Sequence, residues 1–241
     1  FGLGADYLEV GRRTGEMAAE LLTGAKTPAD YRIANVVPEQ LRVNAALPPG
    51  WRLTPELRKL AGAAVPLPSK NTVSKPRDLR LVMYNQTAFM EESRRGLLDG
   101  LVRAGFTPDV DFLLREYNAN GDSATLVSIA GTVAAARPDL ILAVSTPVLQ
   151  ALLRLGGRET PIVFTGVADA VRAGAGRSET DHNPLVTGVT TQSPFAGMAR
   201  LLHETLPRAR RVGTLFTPTE VNSELYRAAL ESELRNCGIE L

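Results

Sequence analysis

Pro138-Asp139-Leu140-Ile141-Leu142-Ala143-Val144-Ser145-Thr146-Pro147-Val148-Leu149-Gln150 carries five consecutive apolar residues, then two hydroxyl residues and a proline. An apolar run that short, free of Gly and Pro, reads as a strand buried on both faces in the middle of a parallel sheet. Ser145 and Thr146 offer hydroxyls at a helix N-cap, and Pro147 has the fixed φ and missing N–H that suit the first helical position. The chain is therefore expected to turn directly from a buried strand into a helix. At such a junction the first backbone N–H groups lack helical acceptors and the helix dipole is locally positive. An anionic group can be held there without Lys or Arg, which makes the junction a candidate binding site.

The same alternation extends to both sides of this junction. Strand patterns fall at residues 79–84, 112–117, 140–144, 162–164, 186–190 and 212–216. Helical patterns fall between them at 91–103, 123–136, 147–155, 194–206 and 220–235. Strand-helix alternation of this kind predicts an α/β fold, a parallel sheet with helices on both faces. Strands beyond Val186 are expected to begin a second lobe, and Gly238-Ile239-Glu240-Leu241 reads as the opening of one more strand. Before residue 79 the character differs. A helix is expected over residues 11–22, stopped by Gly24, then apolar pieces at 33–37 and 41–45, a turn at Pro48-Pro49-Gly50, and a short helix from Thr54-Pro55-Glu56. Pro66, Pro68 and Pro76, interleaved with Ser, Lys, Asn and Thr, read as a linker.

Composition narrows the function. Lys+Arg 27 against Asp+Glu 26 gives a net charge of +1, no electrostatic case for nucleic acid or an anionic membrane. Cys237 has no second cysteine to pair with, and no Cys/His cluster has metal-site spacing, so neither a metal nor a cofactor is expected. No stretch of about 18 apolar residues is present to insert in a membrane. The opening on Phe1 rather than Met reads as an internal start of something longer. Gly174-Ala175-Gly176 is followed by Glu179 where a dinucleotide fingerprint needs Gly or Ala, and no P-loop or nucleophile elbow occurs. His203 lies within a helical pattern, and the Arg-rich run from Pro207 to Arg211 suits a helix C-terminus.

In open α/β sheets ligands sit beyond the carboxyl ends of the strands. The loops there are Asn85-Gln86-Thr87, Ser145-Thr146-Pro147, Thr165-Gly166-Val167-Ala168-Asp169 and Thr217-Pro218-Thr219-Glu220-Val221-Asn222-Ser223. Their hydroxyls, amides and carboxylates can hydrogen-bond a small polar ligand, but they contain no assembled catalytic set. Each also has a purely structural reading: Ser145, Thr146 and the Thr217–Glu220 run as helix caps, Asp169 as a turn former, Asn222 as a first-turn partner.

From about Leu79 to Leu241 the chain resembles the substrate-binding proteins of ABC transporters, the family that includes tryptophan-binding periplasmic lipoproteins. The resemblance rests on Gly96-Leu97-Leu98-Asp99-Gly100-Leu101, Tyr117-Asn118-Ala119-Asn120-Gly121-Asp122, Arg137-Pro138-Asp139 with the strand and Ser145-Thr146-Pro147 after it, Thr160-Pro161-Ile162-Val163-Phe164-Thr165, Val186-Thr187-Gly188-Val189 and Glu220-Val221-Asn222-Ser223. Two departures bear on the ligand: Asp169 is followed by Ala170 rather than Pro, and Gln86-Thr87 stands where a His-containing loop is common. Gly4-Ala5-Asp6-Tyr7-Leu8-Glu9-Val10-Gly11-Arg12-Arg13-Thr14-Gly15 is similar to a run near the end of such modules, with Leu8 where a second Tyr is usual.

The resemblance implies Rossmann-like lobes of a type I periplasmic binding protein, the second lobe incomplete. It implies a tandem arrangement: residues 1–60 as the C-terminal segment of a preceding module, 61–78 as linker, 79–193 as a first lobe, and 194–241 as a crossover helix and the start of a second lobe. A permuted module, with the first segment packing on the lobe that follows, is the alternative. It further implies an amino-acid-like solute or related carboxylate, an ABC permease as partner, and a periplasmic or extracellular, membrane-anchored or secreted location. Ser145 and Thr146 would meet the carboxylate and Asp169 an amine. Gln86, Thr87 and Thr165 would line the site, Thr219, Glu220 and Asn222 would close from the other lobe, and Tyr7 would supply an aromatic wall. A ligand-sensing domain of a signalling protein is the other reading, and a small-molecule enzyme lacks a visible activated nucleophile or base.

Overall fold

The computed structural model describes residues 2–34, 39–42, 75–155 and 159–241. The turn at Pro48-Pro49-Gly50, the short helix from Thr54 and most of the proline-rich linker lie outside the described residues. The chain divides into two compact units, each described by itself.

The larger unit holds residues 7–34 and 75–191 and is built on a five-stranded parallel sheet. Its strands are β3 (Arg77–Met83), β4 (Phe112–Asn118), β5 (Leu140–Val144), β6 (Ile162–Val167) and β7 (Val186–Thr190), in the spatial order β4-β3-β5-β6-β7. β5 is central, and all five of its residues are buried, because helices cover both faces. Side chains alternate as the pleat requires. Leu79, Leu81, Leu140, Leu142, Val144 and Val163 join one apolar cluster with α1 (Tyr7–Leu22) and α2 (Ala88–Arg103). Val82, Ile141, Ala143, Ile162 and Phe164 join the other with α3 (Ser123–Ala136) and α4 (Thr146–Leu155).

Each helix has a local cause. The Thr87 hydroxyl accepts from Met90 N (3.4 Å) to cap α2, and the Asp122 carboxylate accepts from Thr125 N (2.6 Å) to cap α3. That hydrogen bonding holds the Asp122 carboxyl below its usual range. α1 ends at Leu22, and Gly24 follows with φ +73, the left-handed stop that glycine adopts freely. It starts at Tyr7, four residues earlier than the apolar spacing predicts.

α1 and α2 pack backbone against backbone through facing glycines. A Cβ on Gly11 would lie 2.7 Å from Leu97 N, and one on Gly15 would lie 2.9 Å from Gly100 Cα and Leu101 N. From the other side, a Cβ on Gly96 would lie 2.9 Å from the Leu8 carbonyl carbon, and one on Gly100 would lie 3.0 Å from Gly15 Cα. Arg12 Nε donates to Asp99 (2.5 Å) across the same seam. After α1 the chain crosses back over the lobe: Ile33 N donates to the Glu179 carbonyl (3.1 Å) and Thr190 N to the Ala34 carbonyl (3.3 Å). His182 Nε2 lies 2.7 Å from the Tyr31 carbonyl oxygen.

The smaller unit holds residues 2–6, 39–42 and 192–241 among those described. β1 (Gly2–Ala5) and β2 (Glu39–Arg42) pair antiparallel. α5 (Phe195–Thr205) and α6 (Val221–Asn236) share a core of Ala199, Leu234 and Ile239, with Cys237 packed against it. The strand expected at 212–216 does not form. Among the described residues the ladder contact here is an isolated parallel bridge between Arg211, just before the run, and Glu240, and Leu215 is fully exposed. A strand is stable only with a neighbour to pair its backbone, and here the pairing stops after one bridge.

Candidate functional site

The chain runs from β3 outward to β4, then returns to β5 on the other side of β3. The two connections part between β3 and β5, and this topological switch point opens a crevice at the carboxyl ends of those strands. Met83 and Val144 pair in register across it, so the loops that follow, Asn85-Gln86-Thr87 and Ser145-Thr146-Pro147, emerge side by side. Val144 also pairs with Thr165 on β6, which brings the third predicted loop to the same edge.

Ser145 is the unusual residue of this edge. It has φ +97, a left-handed value that costs a non-glycine residue about 1–3 kcal/mol and occurs where surrounding structure holds it for a purpose. Its N–H donates to the Thr165 carbonyl (3.0 Å), and its own carbonyl accepts from Leu149 N (3.2 Å) as the first turn of α4 begins. The residue is 7% exposed, yet its hydroxyl has no hydrogen-bond partner among the described residues. The expected capping by this hydroxyl is therefore not made among the described residues. Pro147 falls at the second helical position, not the first, since α4 begins at Thr146. Thr165, 0% exposed, likewise has a hydroxyl without a partner among the described residues. Ser93 and Thr187 elsewhere in this unit carry buried hydroxyls of the same kind, and what sets Ser145 apart is its position at the strand-to-helix junction with a left-handed φ. The Thr146 hydroxyl differs, accepting from Ala168 N (3.3 Å) and so tying the β6 loop to α4.

The other predicted residues fall into three groups. Thr87 caps α2, and Gln86 is exposed beside it. The Asp169 carboxylate accepts from Arg172 N (2.9 Å) and pairs with the Arg172 guanidinium (3.7 Å), holding the turn after β6. Thr219, Glu220 and Asn222 belong to the smaller unit, where Asn222 Nδ2 donates to the Glu220 carboxylate (3.3 Å) and α6 starts at Val221. Pro218 thus precedes that helix instead of opening it.

Tyr7 opens α1 and stacks on Phe89, ring centroids 5.0 Å apart at 40°. Burial, aided by the Glu92 charge, raises the Tyr7 phenol above its ordinary pKa, so it stays a neutral hydroxyl able to donate. Phe89 and Met90, in the first turn of α2, were not among the predicted site residues. Phe89 is 52% exposed, and a Cβ on Gly166 would lie 3.5 Å from Met90 Cε and 3.9 Å from Ser145 N. The signal was a large apolar pair two residues after the Thr87 cap, where a solvated first turn would carry polar residues. The edge therefore combines a helix N-terminus with buried hydroxyls on one side and an aromatic pair with a thioether on the other. Among the described residues no His, Cys, Asp or Glu side chains group to hold a metal ion, and no helix is long and apolar enough to cross a membrane.

Comparison with known proteins bears on this arrangement. A tyrosine-binding protein of Clostridioides difficile (strain R20291) is 26% identical over 172 residues, covering 71% of this chain and 50% of that protein. The chain thus spans about half the length of this curated relative. The crystal structure of a conserved domain protein from Vibrio cholerae is 28% identical with a TM-score of 0.65, covering 69% of this chain and 56% of that one. An ABC domain in complex with L-Trp from Streptococcus pneumonia shares the fold at a TM-score of 0.65 and 19% identity, over 69% of this chain and 56% of that one. Residues 84–241, more than half of the chain, match the family described as ABC transporter substrate binding protein. The chain belongs to the ABC transporter substrate-binding protein family.

Proposed function

We propose that this chain forms the ligand-recognising part of a solute-binding protein for an amino acid with an aromatic side chain, delivered to an ABC permease outside the cytoplasm. The observation that carries the reading is the buried, unpartnered hydroxyl of Ser145 at the strained strand-to-helix junction that opens α4. A ligand carboxylate fits that place chemically. It accepts from the Ser145 hydroxyl and from the first-turn N–H groups of α4, and the positive end of the helix dipole favours its charge. The aromatic ring of the ligand meets Tyr7, Phe89 and Met90, which offer edge, face and thioether contacts. Asp169 is the carboxylate at hand for the ammonium group, exchanging its Arg172 contact for the ligand. The names of two similar proteins, tyrosine-binding and bound to L-Trp, support the same ligand class.

A thermal-shift panel on the full-length protein tests the ligand class. A ligand that binds only the folded state raises stability by about 2.7 kcal/mol at a concentration of 100 Kd. L-Tyrosine and L-tryptophan are expected to raise Tm. Tyramine, which lacks the carboxylate, and L-serine, which lacks the ring, are expected to leave it unchanged. Equal shifts for tyramine and L-tyrosine would remove the carboxylate site from the reading.

A further inference from the structure

We propose that α1 is a ligand-coupled part of this site: seating of α1 in its glycine seam and occupation of the α4 N-terminus stabilise each other, so a segment that precedes the lobe in sequence responds to ligand. The inference rests on the amino-acid reading above.

α1 lies outside the residues that match the family, which begin at 84, yet it belongs to the same compact unit as the sheet. Gly11 faces Ser93 to Leu97 and Gly15 faces Leu97 to Leu101, so α1 and α2 run in the same direction. Their first turns therefore stand together at the ligand edge, where Tyr7 meets Phe89. The next residue of α2, Met90, reaches Gly166, and Gly166 lies beside Ser145 N. A continuous packed path thus joins α1 to the strained junction.

The seam gives this path its stiffness. The atoms facing Gly11, Gly15, Gly96 and Gly100 are backbone atoms, so α1 cannot slide or turn in place without collision. Tyr7 is either at the edge with α1 seated or absent from it with α1 displaced. The strap after α1 adds a second tie, through Ile33 and the Arg32–Glu179 ion pair (2.5 Å) to the loop before β7 and through Ala34 to Thr190 at the end of β7. A ligand that contacts Tyr7 binds the seated state only, and linkage requires that it hold α1 in place by the same factor.

Amide hydrogen exchange of the full-length protein, with and without saturating L-tyrosine, reads this directly. Ligand is expected to slow exchange about tenfold or more in both α1 and the first turn of α4. Tyr7→Ala is expected to weaken L-tyrosine about tenfold and cancel the slowing in α1, while that in α4 persists at saturation; Tyr7→Phe retains both. Slowing in α4 with unchanged exchange in α1 would overturn the coupling and leave the amino-acid reading standing. So would slowing of α1 that survives Tyr7→Ala. No slowing in either helix with L-tyrosine or L-tryptophan would overturn both.

Discussion

Gly15→Ala is expected to lower the unfolding free energy by about 3 kcal/mol, the upper part of the range for inserting a methyl group into a close-packed site. The new Cβ would lie 2.9 Å from Gly100 Cα and would overlap the Leu97 carbonyl oxygen, and both are backbone atoms with no rotamer through which to yield. The helices must move apart, and contacts of Ala18, Ala19, Leu97 and Leu101 loosen with them. Alanine does gain roughly 1 kcal/mol of helix propensity over glycine, which the steric loss exceeds. Gly131, within α3, provides the matched control, since a Cβ there meets nothing within 4 Å. Gly131→Ala is expected to raise stability by about 1 kcal/mol. At about 2–4 °C per kcal/mol for a domain of this size, thermal unfolding should separate the two variants by roughly 8–16 °C. Equal shifts would mean that α1 does not sit against α2 as described.

Ser145→Ala is expected to move stability and binding in opposite directions. Its hydroxyl is buried without a partner among the described residues, so removing it relieves a desolvation cost of about 1 kcal/mol or more in the ligand-free protein. The same hydroxyl would donate to the ligand carboxylate, and a hydrogen bond to a charged group contributes about 1.5–3 kcal/mol, so affinity for L-tyrosine should fall roughly 10- to 100-fold. Thr146→Ala provides the contrast. Its hydroxyl already accepts from Ala168 N, so its loss leaves a buried N–H unpaired and lowers stability. Denaturant titration and calorimetry on the two variants separate these outcomes. Destabilisation by Ser145→Ala would assign its hydroxyl a structural bond and remove it from the site.

The central junction was legible because its signals are local. Five buried apolar residues followed by Ser-Thr-Pro define strand, break and helix start within a dozen positions, and the bounds of β5, β7 and α3 match the periodicity residue for residue. What was misread depends on partners distant in sequence. The 212–216 run has strand composition, yet composition cannot supply the neighbour that a ladder requires. Ser145 has capping chemistry, but its φ is set by the β5–β6 edge, which no local rule contains. Phe89 and Met90 were passed over because the helical spacing was counted from Glu91, one turn after the true start at Ala88. The α1–α2 seam was invisible for the same reason. Gly11 and Gly15 read as weak points of a helix until Gly96 and Gly100, more than eighty positions later, are found against them.

The most direct measurement is an NMR titration of the 15N-labelled full-length protein with L-tyrosine, following the backbone amides of Thr146 and Val148. These amides stand at the α4 N-terminus where the carboxylate is expected, so both should shift markedly and saturate together with the Tyr7 and Phe89 resonances. Binding that leaves Thr146 and Val148 unmoved would contradict the account and place the ligand elsewhere in the protein.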